Sequence, residues 1–214
     1  SSSGDYSLSR QTRHLVQSKA LTSVVETYQR YSPGKKAVVF AASIQHSKML
    51  TEEFQARGIS AAHLDGEVEK GLRKKIIDGF RSGLYQVLLN FDLISEGFDC
   101  PDIDSVLIAR RTKSLSTYIQ IVGRCLRPDP KAGKEFGYVL DCSGQWLEHG
   151  FAGLDYPWQL DMSKEDIVHF VGKQKLFVNK KKNLKTILDS PQELMGVNLV
   201  QAERDILRAS MYEK

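Results

Sequence analysis

Ala37-Val-Val-Phe-Ala-Ala42, followed by the helix-patterned stretch Ile44 to Arg57 and then by Ile59 to Leu64, is the segment that decides the fold. A short unbroken apolar run suits a strand covered on both faces, not one with a wet side. Gly58 stands where the residue just past a helix is expected. The same unit then recurs. A helix is predicted from Val68 to Arg81, with Leu72, Ile76 and Phe80 on its apolar stripe and Lys70, Arg73 and Lys74 pointing away. Strands are expected at Val87 to Phe91, Ser105 to Ala109 and Tyr138 to Leu140, with a helix over Leu115 to Leu126. Upstream, Leu21, Val24, Val25 and Tyr28 recur at helical spacing, predicting a helix over Ser18 to Tyr31 that Pro33-Gly34 stops. Strand–helix alternation with short connections predicts an α/β fold, a mostly parallel sheet sandwiched by helices. Reactive groups in such sheets gather at the carboxyl ends of the strands. The unusual polar residues lie there: Ser43, Asp65-Gly66, Asn90 to Asp99, and Arg110 to Ser114.

The chain has 214 residues, of which 41% are apolar and 26% charged. That length suits one α/β domain with appendages, or two small domains. The composition excludes collagen, mucin and wholesale disorder. No window approaches the ~18 consecutive apolar residues of a membrane span, and the first residues show no signal-peptide pattern, so no membrane association is expected. Cys100, Cys125 and Cys142 are far apart without a C-x-x-C pair, which argues against a disulfide framework and against a metal site. A reducing, cytoplasmic setting is expected. Lys plus Arg exceed Asp plus Glu by 30 to 26, which allows an anionic partner without requiring one.

Residues 1–17 read as a flexible linker or a cloning scar, 18–150 as the folded domain, and 151–214 as an aromatic linker with a helical, Lys-rich extension. Between Lys173 and Lys185 there are six lysines, Lys180, Lys181 and Lys182 among them, and no acid. Such a run is either a solvated face or a sequence-independent binder of phosphates. Trp146, Tyr156 and Trp158, with Phe151, could stack on bases, but beside Gly and Pro they read as pins for a tail.

The segment from Leu115 to Arg127 carries the chemistry. Leu115, Tyr118, Ile119, Val122 and Leu126 form one helical stripe, and Gln120, Gly123, Arg124 and Arg127 form another about 130° away. The first stripe packs on a sheet. The second offers two guanidinium groups and an amide around a glycine gap, suited to an anion with several oxygens such as a polyphosphate. A plain solvated basic face has the same pattern. Upstream, in Asn90 to Pro101, Gly97, Asp99 and Pro101 shape a loop past a strand end, where an acidic group can accept ribose hydroxyls or hold an arginine.

In this order the segments resemble the second RecA-like domain of superfamily 2 helicases and translocases. They are most similar to DEAD/DEAH-type DNA helicases related to restriction-enzyme translocases and bacterial DNA-repair helicases. Val38 to His46 looks like motif IV, Ser95 to Pro101 like motif V, and Gln120 to Arg127 like motif VI, the Q-x-x-G-R-x-x-R signature. The resemblance covers about residues 35–150. It implies that Arg124 and Arg127 reach the γ-phosphate of ATP held by a partner domain, and that Gln120 links nucleotide state to the interface. It places Glu96, Gly97, Asp99 and Gly123 near the nucleotide. It places Ser43, Gly66 and Thr112 along the nucleic-acid backbone, with His46 and Asn90 expected beside them, and the lysine run at Lys180, Lys181 and Lys182 is expected to add phosphate contacts. Phe91 departs from the pattern, since related helicases often carry Thr there. The sequence has no G-x-x-x-x-G-K-[ST] loop and no D-E-x-[DH] box. The resemblance therefore implies that ATP and Mg²⁺ are bound mainly by a first RecA-like domain of the same protein, and that this chain alone does not hydrolyse ATP. DNA is the expected nucleic acid, with RNA open, and a cytoplasmic, nucleoid-associated setting follows. A non-catalytic RecA-like docking module and an RNA helicase domain are the other readings, with an unrelated nucleotide-binding enzyme such as a glycosyltransferase a weaker one.

Overall fold

The computed structural model describes residues 18–91, 102–126, 134, 137–150 and 166. Among these residues the strands are β1 (Ala37–Ala41), β2 (Ala61–Leu64), β3 (Val87–Asn90), β4 (Ser105–Ala109) and β5 (Tyr138–Asp141). They form one sheet in the order β2-β3-β1-β4-β5, every pairing parallel. The helices are α1 (Ser18–Tyr31), α2 (Ile44–Ala56), α3 (Lys70–Arg81), α4 (Leu115–Gly123) and the short α5 (Trp146–His149). This is the α/β sandwich, a parallel sheet between helices, expected from the alternation, and it agrees with the RecA-like fold that the resemblance implies. No described helix is long and apolar enough to cross a membrane.

β1 is the central strand, and every one of its residues is buried, which accounts for its unbroken apolar sequence. From β1 the chain steps outward to β2, returns to β3, then crosses β1 to reach β4 and β5. Right-handed crossovers therefore put α2 on one face and α3 and α4 on the other. α1 joins α2. The Tyr28 ring meets Phe54 edge-on with centroids 5.6 Å apart, and Arg57 reaches Gln29 at 3.2 Å and Glu26 at 3.8 Å. Leu21, Val24, Val25 and Tyr28, the stripe read from the sequence, are all buried. Each large apolar side chain so removed from water stabilises the fold by roughly 1.5–3 kcal/mol.

α2 ends as the sequence predicts. Gly58 adopts φ +73°, its N–H donates to Gln55 O at 2.9 Å, and the Ile59 N–H donates to Phe54 O at 3.0 Å. These two bonds satisfy carbonyls that the last turn leaves open, and glycine takes the left-handed backbone at little cost.

Two helices differ from expectation. α3 begins at Lys70, two residues later than predicted, and Leu72 is 51% exposed instead of facing the core. Arg73, expected to point away, turns back onto the loop after β2. α4 ends at Gly123, not Leu126, because the chain tightens there. The Arg124 N–H donates to Ile121 O at 3.2 Å and the Cys125 N–H to Val122 O at 3.3 Å. With three residues per turn, Cys125 eclipses the buried Val122 and Leu126 eclipses Gly123. Cys125 is accordingly fully buried and Leu126 is 52% exposed.

The chain divides into two compact units, Ser1–Ser143 and Gly144–Lys214. The sheet with α1–α4 belongs to the first and α5 to the second. Apart from the helical Asp166, the segment 151–214 lies outside the described residues.

Candidate functional site

Because all five strands run parallel, their carboxyl ends share one edge. Leu64, Asn90, Phe40, Ile108 and Asp141 stand in register across the sheet. Just beyond that row the chain leaves the sheet at Ser43, at Asp65-Gly66 and at Arg110 to Thr112. The polar residues singled out in the sequence are thus gathered at one edge, but their side chains are used differently.

Ser43 is the N-cap of α2 and half-exposed. Its Oγ accepts from the His46 N–H at 3.0 Å, satisfying one of the donors that a helix start leaves open. His46, expected along the nucleic-acid backbone, is instead fully buried. Its Nδ1 accepts from the Ala42 N–H at 3.2 Å, so in the neutral ring Nε2 carries the proton, and that Nε2 has no partner among the described residues. The ring holds the β1–α2 corner from inside.

Burial lowers the His46 pKa to about 4. In the unfolded chain a histidine titrates near ~6.5. Between these values the unfolded chain binds a proton that the folded chain refuses, so stability falls as pH drops through the window. Between about pH 7 and about pH 5, roughly 2 kcal/mol should be lost through this residue. Urea midpoints at the two pH values should differ clearly less in His46→Gln than in the parent. Equal pH slopes in both proteins would contradict the assignment.

The loop after β2 carries a buried polar chain that sequence reading missed. Ser47 Oγ lies 2.7 Å from His63 Nδ1, and His63 Nε2 lies 2.7 Å from Asp65 Oδ2. Asp65 Oδ1 accepts from the Glu67 and Val68 N–H groups at 2.8 and 3.0 Å. Arg73 Nη2 donates to the carbonyls of Asp65 and Gly66, both at 3.2 Å. Burial raises the Asp65 pKa, but the His63 contact and the two backbone N–H groups outweigh it, so the carboxyl stays below its ordinary value. Ser47 is fully buried and Asp65 nearly so, which removes this trio from any nucleophilic role. It clamps the loop that exposes Gly66. The available signal was the placement of His63 and Asp65 two apart, on one side of a strand end.

Asn90 and Thr112 also turn inward. The Asn90 Nδ2 donates to Val39 O at 3.0 Å, tying β3 to β1, and the residue is 4% exposed. Thr112 is 1% exposed, and its Oγ1 accepts from the Ser114 N–H at 3.1 Å, while Ser114 caps α4 through the Thr117 N–H. Polar side chains beside strand tips find backbone groups of the neighbouring strand or of the turn that follows. That is why Asn90, Thr112 and His46 are buried where surface contacts were expected.

On α4, Tyr118, Ile121 and Val122 are buried, Leu115 and Ile119 are half-buried, and Gln120 is exposed. Gly123 is half-buried, yet a Cβ built on it would meet nothing within 4 Å among the described residues. Internal packing therefore does not require a glycine there. The open space lies beside Arg124, which is half-buried at the C-cap of α4. Gln120, Gly123 and Arg124 thus share the side of α4 away from its buried stripe. Arg127, Glu96, Gly97, Asp99, Lys180, Lys181 and Lys182 lie outside the described residues.

Comparison with known proteins gives a consistent result. A family model described as "Helicase conserved C-terminal domain" matches residues 17–129. The chain is 36% identical over 136 residues to a "51.5 kDa protein" of a Lactococcus phage, covering 64% of this chain and 29% of that protein. It is 31% identical over 96 residues to "ATP-dependent RNA helicase SrmB" of Haemophilus influenzae, covering 45% of this chain and 22% of that protein. The chain therefore spans less than a third of the length of these relatives. Among solved structures, the Escherichia coli DEAD-box protein SrmB, bound to regulator of ribonuclease activity A, superposes with a TM-score of 0.51 at 22% identity. That match covers 69% of this chain and 86% of that one.

Proposed function

Because the chain belongs to the helicase conserved C-terminal domain family of superfamily 2, we propose that it is the second motor domain of an ATP-dependent helicase or translocase. In this reading it supplies arginine fingers to ATP held by another domain. The observation that carries it is the open face at Gly123, flanked by the exposed Gln120 and by Arg124. A helix that needed only to pack against the described residues has no use for a glycine here, and a Cβ would fill the approach to the arginine. The residues fit a polyphosphate: a planar guanidinium binds phosphate oxygens in a bidentate fashion, and an amide orients beside it. ATP with Mg²⁺, bound on the other domain, supplies the phosphoryl group to be transferred. Arg124 and Arg127 neutralise charge on its oxygens, and Gln120 registers whether it is present. On the motif resemblance, Glu96, Gly97 and Asp99 serve the nucleotide as well.

The nucleic-acid backbone runs along the carboxyl edge in this reading, touched at the half-exposed Ser43 and the exposed Gly66, with Lys180, Lys181 and Lys182 adding sequence-independent charge. His46, Asn90 and Thr112 act from behind, fixing the corners that present those groups. DNA is the favoured partner on the motif resemblance. RNA is the second reading, favoured by the RNA helicase among the relatives. Stimulation of whole-protein ATP turnover by matched DNA and RNA strands distinguishes the two.

The reading is tested most simply on the chain itself. The purified 214 residues should turn over no ATP above background with Mg²⁺ and nucleic acid present, because the sequence contains no phosphate-binding loop. Sustained turnover would place the nucleotide chemistry inside this chain and overturn the proposal.

A further inference from the structure

We propose that Gly137 is a positioning residue for the arginine turn: lacking a side chain, it lets the lead-in to β5 press against the Cys125 carbonyl and so fixes where Arg124 leaves α4. A Cβ built on Gly137 would lie 2.2 Å from the Cys125 oxygen, 2.8 Å from its carbonyl carbon and 3.2 Å from its Cβ. The φ of Gly137 is not in the left-handed region, so its backbone is one any residue adopts and only space demands a glycine. Cβ atoms essentially never approach closer than 3.0 Å, so a side chain here displaces one partner by at least about 0.8 Å.

The two partners are not equally free to move. Tyr138, next to Gly137, pairs with Ser105 in the ladder and donates its N–H to Asp104 O at 2.8 Å. Lys134 ties the same segment to Ile103 O. In the turn after α4 the backbone bonds are longer, 3.2 Å from Arg124 and 3.3 Å from Cys125, with Cys125 Sγ 3.4 Å from Val122 O and its side chain buried. The turn yields first, and Arg124 moves with it. Gly123 and Gly137 therefore do opposite work. One leaves room outside α4 for a partner, and the other removes room inside so that the arginine has one position.

The proposal rests on the reading of Arg124 as a finger, so its test has one readout that does not depend on turnover. Burial pushes the Cys125 thiol up to about 12 and keeps it inert, which makes its rate of maleimide labelling, read on the Cys125 peptide, a measure of where the turn sits. In the whole protein, Gly137→Ala should speed that labelling at least about tenfold. A displacement near 1 Å should also lower kcat for ATP by roughly 10- to 100-fold, with nucleic-acid affinity held within about threefold. Gly71→Ala, on the exposed first turn of α3, should change neither. Parental labelling in Gly137→Ala overturns the proposal. So does faster labelling with parental turnover while Arg124→Ala is inactive. If Arg124→Ala itself turns over normally, the finger reading fails, and the labelling rate alone decides whether Gly137 sets the turn. Should Gly137→Ala not fold, Lys134→Met releases the tie to Ile103, and its labelling is compared at equal thiolate fraction because the Lys134 charge also lowers the Cys125 pKa. It should speed Cys125 labelling and lower kcat several-fold, and parental values overturn the proposal.

Discussion

Arg124→Ala in the whole protein is expected to lower ATP turnover by roughly 10³-fold, while nucleic-acid affinity stays within about threefold of the parent. A finger acts on charge that spreads over the transferred phosphoryl oxygens, so its loss raises the barrier for that step by about 4 kcal/mol. The contacts proposed for nucleic acid, at Ser43 and Gly66, lie on other corners of the edge and keep their geometry. Arg124→Lys retains the charge but not the planar fork, and should recover only part of the rate. Arg127→Ala should behave like Arg124→Ala, and the double variant should cost little more than either, because groups that act as a unit lose their effect together. The measurement is steady-state turnover under saturating nucleic acid, with thermal melting to show that the fold persists. Turnover within a few-fold of the parent in Arg124→Ala would remove Arg124 from the finger role, whereas absence of turnover in the parental whole protein itself would favour the docking-module reading, since a pure adaptor has no rate for the arginine to change.

The fold was legible wherever one physical cause governed a segment. The stripe from Leu21 to Tyr28, with Pro33-Gly34 behind it, marked α1 at both ends. The apolar run from Ala37 marked a central strand, and Gly58 a helix end that needs a left-handed residue. Boundaries failed where tertiary contacts competed with periodicity. α3 starts late because the Asp65 carboxylate, Glu67 and Val68 build a turn in the residues that the pattern assigned to helix. α4 stops early where its last turn tightens and the Cys125 carbonyl meets Gly137, a contact that no local pattern encodes.

The candidate site was legible in the same uneven way. A polar residue past a strand is visible in the sequence, but the backbone group that consumes it is not. Ser43 and Gly66 keep an exposed aspect, whereas His46, Asn90 and Thr112 are spent on the Ala42 N–H, the Val39 carbonyl and the Ser114 N–H. Ser47 and His63 went unnoticed, and Asp65 read only as a polar residue past a strand, because no motif spacing joins α2 to β2. They meet only once the strand lies beside the helix.

Asp65 gives the largest stability effect expected from the site. Asp65→Ala removes the acceptor for the Glu67 and Val68 N–H groups and the partner of His63 Nε2, in a place that is 2% exposed. Hydrogen bonds to a charged group contribute about 1.5–3 kcal/mol each, and partners left buried carry a further penalty, so a loss of roughly 3 kcal/mol is expected. Asp65→Asn separates the two jobs. Its side-chain oxygen still accepts from the loop N–H groups, and its NH₂ can face His63 once the imidazole proton moves to the Ser47 side. The Asn variant should therefore lose less than about 1 kcal/mol at neutral pH. It should also lose the acid dependence that the native carboxylate brings. Asp65 is held below its ordinary pKa, so its contribution is complete above the usual carboxylate range and disappears as pH falls through its depressed value. Function should follow the loop and not the charge. With Gly66 no longer presented by a fixed turn, Asp65→Ala should bind nucleic acid at least about tenfold more weakly at a temperature where it is still folded, and Asp65→Asn near normally. Equal binding by Ala and Asn variants would detach the loop from nucleic acid and leave Asp65 a stabiliser of the β2–α3 corner alone.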